Sequence, residues 1–262
     1  MKTHTVSIVV PVYRVDMTEY ERISMERLVK VLGSHRIVVV KPVSLDLSPL
    51  SEKYPCLEFE SFDDGCFESI SSYNRLMMSE AFYRRFQDSE YILIYQLDAY
   101  VFRDELDYWC AKGYDYIGAP WLLRPVYKFP LFRFTSWLKK KYCDVTHRPN
   151  GQITRYKVGN GGFSLRKVDS MLRAVTELRQ VVERFLTAKH HHTFNEDVFF
   201  GVEVNNHGLG FRYPDWREAL RVSFDKYPKF CYELNDGRLP FGCHSWYKRK
   251  MKKFWFPVIL KN

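Results

Sequence analysis

The sequence lacks the features that mark several well-defined classes of protein. Its six cysteines, at positions 56, 66, 110, 143, 231 and 243, form no CxxC pair and no regular framework. No window approaches the roughly 18 uncharged apolar residues of a membrane-spanning helix, and internal repeats are absent. With 262 residues, 46% of them hydrophobic, the chain can bury a sizeable core without disulfides. We therefore expect a single large domain in a reducing, cytoplasmic setting.

A formal charge of +9 indicates an anionic partner, which could be a nucleic acid, a membrane face or a phosphorylated substrate. The cations gather at Lys128–Lys141 and Lys248–Lys253, where Phe, Trp and Leu are interleaved with them. Nucleic-acid domains more often carry a continuous basic helix or a base-stacking motif. The distribution of charge therefore favours a membrane face over nucleic acid.

Apolar runs alternate with helical periodicity in the first hundred residues. The runs 6–12, 36–40 and 91–96 predict buried strands, and the first is too short and too β-branched for a signal peptide. Residues 18–32 and 69–86 have the apolar spacing of helices. This alternation predicts an α/β fold with a mostly parallel central sheet flanked by helices.

The second half of the chain is less regular. Residues 123–156 are basic, aromatic and punctuated by proline without clean periodicity, which predicts an insertion or a lid. Helical spacing resumes over 167–186, and the triplet 190–192 of consecutive histidines is interpreted as an exposed loop.

Two motifs follow predicted strands, where sheets of this kind bind their ligands. Asp98 ends the apolar run YILIYQLD, and a carboxylate emerging there is expensive unless it is paired or coordinated, although a helix cap or a surface turn would also explain it. The segment VGNGGFSLR brings Asn160, Gly161 and Gly162 together, so that backbone could approach a ligand closely. An ordinary glycine-rich turn is the alternative.

Two later motifs add acids and an imidazole. FNEDVFFG places Glu196 and Asp197 at the start of a predicted helix, either as charges that favour the helix N-terminus, with Thr193 or Asn195 as cap, or as a base for a hydroxyl nucleophile. PFGCHSW carries His244, which is either structural or, with a carboxylate, a ligand for Mn²⁺.

The order of these motifs, a strand ending in Asp98, then GNGGFSLR, then EDVFFG, then a late histidine, resembles the GT-A family of nucleotide-sugar glycosyltransferases. More narrowly, SYNRLMMSEAFY, YILIYQLDAYVF, YDYIGAPW, VGNGGFSLR and NEDVFF look like a bacterial family of GT-A-like proteins catalogued as a domain of unknown function. The resemblance implies one Rossmann-like GT-A domain over residues 1–246, followed by a basic aromatic tail over 247–262.

On the donor side, the resemblance implies that Asp98 and His244 hold a divalent metal, Mn²⁺ or Mg²⁺, and the diphosphate. The motif here reads Asp98-Ala99-Tyr100, so the second acid of the Asp-x-Asp motif is missing. We expect Lys248 to help neutralise the leaving diphosphate. The residues that lie where the family holds the base and ribose are Pro11, Tyr13, Arg14 and Asn74.

On the acceptor side, the resemblance implies that Asp197 is the catalytic base of an inverting transfer. Glu196, next to it, would grip the acceptor. Asn160, Gly161 and Gly162 match the acceptor-side loop, and Trp121 is a candidate platform for a sugar ring or else an aromatic core anchor.

The implied function is transfer of a sugar, with a UDP-sugar as the expected donor, to a glycan or lipid-linked acceptor in bacterial surface polysaccharide assembly. The tail, with Phe254, Trp255 and Phe256, would attach the protein to the anionic inner face of the plasma membrane, and the alternative is a solvated tail packed partly on the core. A catalytically inactive sugar- or nucleotide-binding relative and, further behind, a nucleic-acid-binding protein remain as alternatives.

Overall fold

The computed structural model describes residues 4–123, 125–146, 150–188 and 192–261. Most of the histidine triplet therefore lies outside the described residues. The strands are β1 (Val6–Pro11), β2 (Arg36–Pro42), β3 (Leu57–Phe62), β4 (Tyr91–Tyr95), β5 (Tyr100–Val101), β6 (Tyr116–Ile117), β7 (Phe163–Lys167), β8 (Ser223–Phe224) and β9 (Gly242–Cys243).

The helices surround these strands. They are α1 (Glu19–Leu32), α2 (Ser48–Lys53), α3 (Ile70–Met77), α4 (Glu80–Arg84), α5 (Leu106–Ala111), α6 (Pro130–Val145), α7 (Val168–Glu177), α8 (Arg179–Thr187), α9 (Glu196–Val198), α10 (Val204–Asn206), α11 (Trp216–Val222), α12 (Pro228–Leu234) and α13 (Lys252–Ile259). Between α9 and α10 the chain makes a π-helical turn, Phe199–Glu203, so the three form one continuous helical segment.

A six-stranded sheet with the order β3-β2-β1-β4-β7-β6 forms the centre of the molecule. Its first four strands run parallel, and β7 runs antiparallel to both of its neighbours. β1 and β4 are buried along their whole length because helices cover both faces, which explains their continuous apolar sequences. The predicted α/β fold with a mostly parallel central sheet is confirmed. β5, β9 and β8 form a small second sheet.

The helix predicted over 18–32 is present as α1, which Thr18 and Glu21 start with a capping box. The predicted helix over 69–86 is instead two helices, since the Ser79 hydroxyl caps a new helix by accepting from Phe82 N. The helix predicted over 167–186 is also interrupted, at Leu178, whose side chain packs on the core.

The segment 123–156, predicted to be an insertion or a lid, contains regular structure despite its lack of clean periodicity. It contains α6, a 16-residue helix, and two short 3₁₀ turns, Pro125–Lys128 and Gly151–Thr154. Among the described side chains of α6 the buried ones are Ser136 and Cys143, so most of its apolar side chains do not face the core.

The C-terminal segment packs on the domain. The Trp255 side chain is fully buried, and its ring stacks on Phe102 with centroids 5.5 Å apart. Trp246 is in the same cluster and donates its indole N–H to Ser24 Oγ at 2.9 Å. The prediction that Trp255 enters a membrane boundary is therefore wrong, since its ring is part of the core. Within the described ranges, no helix combines the length and the apolar character needed to cross a membrane.

Candidate functional site

One cleft of about 750 Å³ opens at the carboxyl ends of β1 and β4. All the residues selected from the sequence except Trp121 line it. They are Pro11, Tyr13, Arg14, Asn74, Asp98, Asn160, Gly161, Gly162, Glu196, Asp197, His244 and Lys248. The volume is within the range of about 300–1,000 Å³ that is typical of small-molecule sites.

Opposite charges alternate around Asp98 on one wall of the cleft. Lys248 Nζ lies 2.9 Å from Asp98 Oδ2, and His244 Nε2 lies 2.8 Å from Asp98 Oδ1. The other nitrogen of the imidazole, Nδ1, lies 3.2 Å from Asp225 Oδ1. Two acids and two potential cations thus hold one another at the place where a diphosphate would be expected.

These contacts shift the ionisation of both central groups. Burial alone would raise the pKa of Asp98, but His244 and Lys248 hold it well below the ordinary value. Burial alone would lower the pKa of His244, but the negative charges of Asp98 and Asp225 raise it to about 9. At neutral pH the imidazole is therefore cationic, and the four side chains have a net charge near zero.

Asp98 and His244 have the chemistry of two metal ligands. His244 Nε2, which now lies 2.8 Å from Asp98 Oδ1 and is protonated at neutral pH, would have to lose its proton before it could bind an ion. The position of the missing second acid is taken by Tyr100, which is buried in β5. No cluster of three or more His, Cys, Asp or Glu ligands occurs among the described residues. An ion bound here would take its other ligands from a substrate diphosphate and water.

The GNGG loop shapes the floor of the cleft. Asn160 adopts a φ of +68°, and its side-chain oxygen accepts from Gly162 N at 3.1 Å. A Cβ on Gly162 would lie 2.2 Å from His244 Nε2, and one on Gly161 would lie 1.7 Å from Glu196 Oε1. Both glycines are therefore required by the imidazole and the carboxylate that pack against the loop.

Glu196 is held by a buried arginine that the sequence reading did not select. Arg166 on β7 is fully buried, and its Nη2 lies 3.1 Å from Glu196 Oε2. Ser164 Oγ and Tyr83 OH accept further hydrogen bonds from the same guanidinium, at 3.0 and 3.1 Å. Glu196 is therefore more than a charge that favours the helix N-terminus, because its main interaction is the ion pair with Arg166.

Asp197 is the acid that remains unpaired. Burial, together with the neighbouring charge of Glu196, raises the pKa of Asp197 to about 7. Its Oδ1 is buried and has no hydrogen-bond partner in the described part of the chain. A carboxylate with a raised pKa and an unpartnered oxygen, on a residue that lines a cleft, has the properties of a general base.

Asp197 and Asn195 also line a second pocket of about 290 Å³, which contains Trp121. The Trp121 ring packs so closely on the backbone that a Cβ on Gly159 would lie 1.9 Å from it. Trp121 is thus partly a core anchor and partly a wall of the second pocket. Asp197 lies where the two pockets meet.

The sequence profile of a family described as "Protein of unknown function (DUF5672)" matches residues 56–244, more than half of the chain. The chain belongs to this family. Comparison with curated protein sequences finds no significant match.

Solved structures with a similar fold are glycosyltransferases. The galactosyltransferase LgtC, solved in complex with donor and acceptor sugar analogs, is 12% identical, with a TM-score of 0.57 over 97% of this chain and 94% of LgtC. Mouse xyloside xylosyltransferase 1 is 12% identical, with a TM-score of 0.52 over 91% and 96%. GlyE of Streptococcus pneumoniae TIGR4 is 10% identical, with a TM-score of 0.53 over 98% of this chain and 60% of GlyE. This DUF5672 protein has the GT-A fold.

Two predicted nucleotide contacts of this DUF5672 protein are already engaged. Glu21 accepts two hydrogen bonds from Arg14 Nη2, at 2.6 and 2.7 Å, so the charge of Arg14 is compensated. Asn74 Nδ2 donates to Asn195 Oδ1 at 3.2 Å, and Asn74 Oδ1 accepts from Glu196 N at 3.4 Å. Asn74 therefore positions the start of α9 from outside, while the Asn195 side chain makes no capping bond.

Two further charged residues that contact the predicted site residues could have been found from sequence. Arg166 is a charged residue in the middle of a buried strand, FSLRK, where an unpaired charge is too costly to occur. Asp225 follows the short run VSF just as Asp98 follows its own strand. In both cases the position of a charged residue in or after a buried strand was the signal in the sequence.

Proposed function

We propose that this DUF5672 protein is a glycosyltransferase that binds a nucleotide-sugar in the 750 Å³ cleft and an acceptor in the second pocket. The observation that carries the proposal is the place of Asp197. Its unpartnered carboxylate lies on the wall that both pockets share, where a hydroxyl nucleophile and an anomeric carbon would have to meet. The shared fold with LgtC, solved with donor and acceptor sugar analogs, supports this assignment.

The diphosphate would bind beside Lys248 and His244. Because Asp98 and Asp225 already balance these cations, a diphosphate would add negative charge that the described side chains leave uncompensated. A divalent ion, Mn²⁺ or Mg²⁺, held by Asp98 and a deprotonated His244 together with the diphosphate would still add one positive charge after the imidazole proton is lost. Tyr13, which is largely exposed at the rim, would stack on the nucleobase.

The chemistry we infer is a single inverting displacement. Asp197 takes the proton of the acceptor hydroxyl, and the acceptor oxygen forms a bond to the anomeric carbon. The bond between that carbon and the phosphate oxygen breaks at the same time, so the nucleoside diphosphate leaves with the electron pair. Arg166 holds Glu196 beside the acceptor and keeps its charge close to Asp197.

The substrates we propose are a UDP-sugar and a glycan or lipid-linked acceptor, in bacterial surface polysaccharide assembly at the inner face of the plasma membrane. The neutral charge balance of the donor wall favours donors that bring their own cation, such as nucleoside diphosphate sugars with Mn²⁺.

Thermal denaturation with UDP, GDP, CMP, dTDP and their sugar conjugates, with and without Mn²⁺, tests the donor site. An unfolding entropy of about 2.1 cal/mol/K per residue gives about 0.55 kcal/mol/K for this chain. A ligand at 100 times its Kd stabilises by about 2.7 kcal/mol, so the midpoint should rise by about 5 °C. Asp98→Ala should abolish the shift, and Asp104→Ala, outside the cleft, should retain it.

Turnover tests the assignment of the base. Asp197→Asn should lower kcat by about 10²- to 10⁴-fold while the nucleotide-dependent shift persists, and Asp169→Asn, an exposed acid in the first turn of α7, should be normal. NMR of the product's anomeric configuration distinguishes inversion from retention. Binding of a nucleotide-sugar without transfer to any acceptor would assign the protein as an inactive relative. No shift with any nucleotide would overturn the proposal.

A further inference from the structure

Helix α6 presents an apolar stripe that points away from the rest of the protein. Leu131, Phe134, Leu138 and Val145 are 69%, 56%, 46% and 79% exposed. At about 100° per residue they lie within an arc of about 60°, on the side of the helix opposite its buried line. That line is formed by Ser136 and Cys143, seven residues apart. The amphipathic pattern of α6 is therefore inverted with respect to the core.

Cations and an aromatic ring border this stripe. Arg133 and Lys139 are exposed on its two sides. Lys141 Nζ lies 4.3 Å from the centre of the Trp137 ring, which stacks on Phe134 with centroids 5.9 Å apart. An apolar face with Trp, bordered by Lys and Arg, is the composition of a helix that lies in the plane of an anionic membrane surface.

We propose that α6 docks the protein on an anionic lipid bilayer, with the stripe in the headgroup–acyl boundary and the cations against the headgroups. Exposed apolar patches of this kind mark interaction surfaces, and the charge at its borders selects the occupant. A second copy of the chain would bring Arg133, Lys139 and Lys141 of both copies together around one apolar contact. An anionic bilayer pairs with these cations and covers the stripe at once.

The place of α6 connects this surface to the second pocket. The turns Pro125–Lys128 and Gly151–Thr154 join the helix to the domain, and Gln152 Nε2 donates to the Ser136 carbonyl at 2.8 Å. Both turns contribute to the pocket that contains Trp121 and Asp197. If the proposed transfer is correct, docking through α6 brings the acceptor pocket to the membrane, which suits a lipid-linked acceptor.

Flotation of the full chain with vesicles tests the surface without donor, acceptor or turnover, so its outcome is independent of the proposed activity. The probes are phosphatidylcholine vesicles with and without about one third phosphatidylglycerol. We expect binding to the anionic vesicles that weakens in 0.5 M NaCl. Leu131→Gln/Leu138→Gln should weaken partitioning about tenfold or more, and Lys139→Gln about fivefold.

Matched variants locate the effect. Val43→Gln removes an exposed apolar side chain outside α6, and Lys30→Gln removes an exposed cation of α1, so both should bind normally. Brominated lipids should quench tryptophan fluorescence in the native chain, and the quenching should disappear in Trp137→Phe.

Three results would overturn the proposal. Equal or absent binding to the two kinds of vesicle would remove the anionic bilayer as the partner. Loss of binding in Lys250→Gln/Lys253→Gln, with the α6 variants unaffected, would assign the membrane-binding surface to the C-terminal segment. Concentration-dependent dimerisation in sedimentation velocity that the Leu131→Gln/Leu138→Gln variant abolishes, without vesicle binding, would make the stripe an interface between copies.

Discussion

The buried ion pair between Arg166 and Glu196 can be separated into its parts by a double-mutant cycle. The two side chains are 0% and 5% exposed, and their closest N–O distance is 3.1 Å. With an effective dielectric constant of about 20, the attraction at that distance is about 5 kcal/mol. Arg166→Met keeps much of the packing on the Tyr116 and Phe200 rings but leaves the carboxylate without its cation. Breaking a buried pair in this way typically costs about 3–5 kcal/mol.

Thermal and urea denaturation measure this loss. With about 0.55 kcal/mol/K of unfolding entropy, the midpoint of Arg166→Met should fall by about 5–9 °C. Glu196→Gln should cost a similar amount because it strands the guanidinium. The double variant should recover most of one loss, since no buried charge remains. Arg184→Met, which breaks an exposed pair with Glu203, is the matched control and should cost less than about 1 kcal/mol.

Additive losses would refute the reasoning. If the double variant lost the sum of the two single losses, the side chains would not be coupled. If Arg166→Met were as stable as Arg184→Met, the buried pair would contribute no more to stability than an exposed one.

Three further predictions concern turnover and nucleotide binding. Since the base must be ionised, kcat/KM should fall about tenfold per pH unit below pH 7. Glu196→Gln should move this fall in the pH profile to lower pH, because it removes the negative charge that raises the pKa of Asp197. An unchanged pH profile in that variant would contradict the interaction between the two carboxylates. Lys248→Met should weaken nucleotide binding about 10- to 100-fold in titration calorimetry. Lys250→Met, which changes an exposed lysine two residues further on, should bind the nucleotide normally. Equal affinities of the two variants would exclude Lys248 from the donor site. Gly162→Ala should abolish binding because its Cβ would lie 2.2 Å from His244 Nε2 and displace the imidazole, and a crystal structure of the variant with the imidazole unmoved would disprove that explanation.

Residues that follow strands could be predicted because the ends of parallel strands meet at one edge of a sheet. This rule selects Asp98, and the glycine-rich spacing selects Gly161 and Gly162, all of which line the cleft. The pairing of Arg166 with Glu196 was not predictable in this way. Its partners are 30 residues apart on different elements, and it depends on how the start of α9 packs against β7.

The two basic aromatic segments show why composition alone cannot locate an exposed apolar surface. KKFWFPVI of α13 is apolar on several sides, so Trp255 can be buried while the lysines stay in solvent. In α6 four apolar residues, Leu131, Phe134, Leu138 and Val145, share one side, and that side faces outward. Sequence gives the angular distribution of side chains around a helix, but only the packed structure shows which side the protein covers.

The raised pKa of Asp197 has a consequence for stability that separates a functional role from a structural one. An unfolded Asp loses its proton near pH 3.9, whereas the folded carboxyl holds it to about pH 7. Stability should therefore fall as pH rises through this interval, because the unfolded chain releases its proton first, and the full penalty remains above pH 7. Asp197→Asn removes the charge, so its midpoint at pH 8 should exceed that of the native chain while transfer is lost. A midpoint below the native one at pH 8 would mean that the carboxylate stabilises the fold. Loss of transfer together with a gain in stability is the result expected of a residue that serves the chemistry and not the fold.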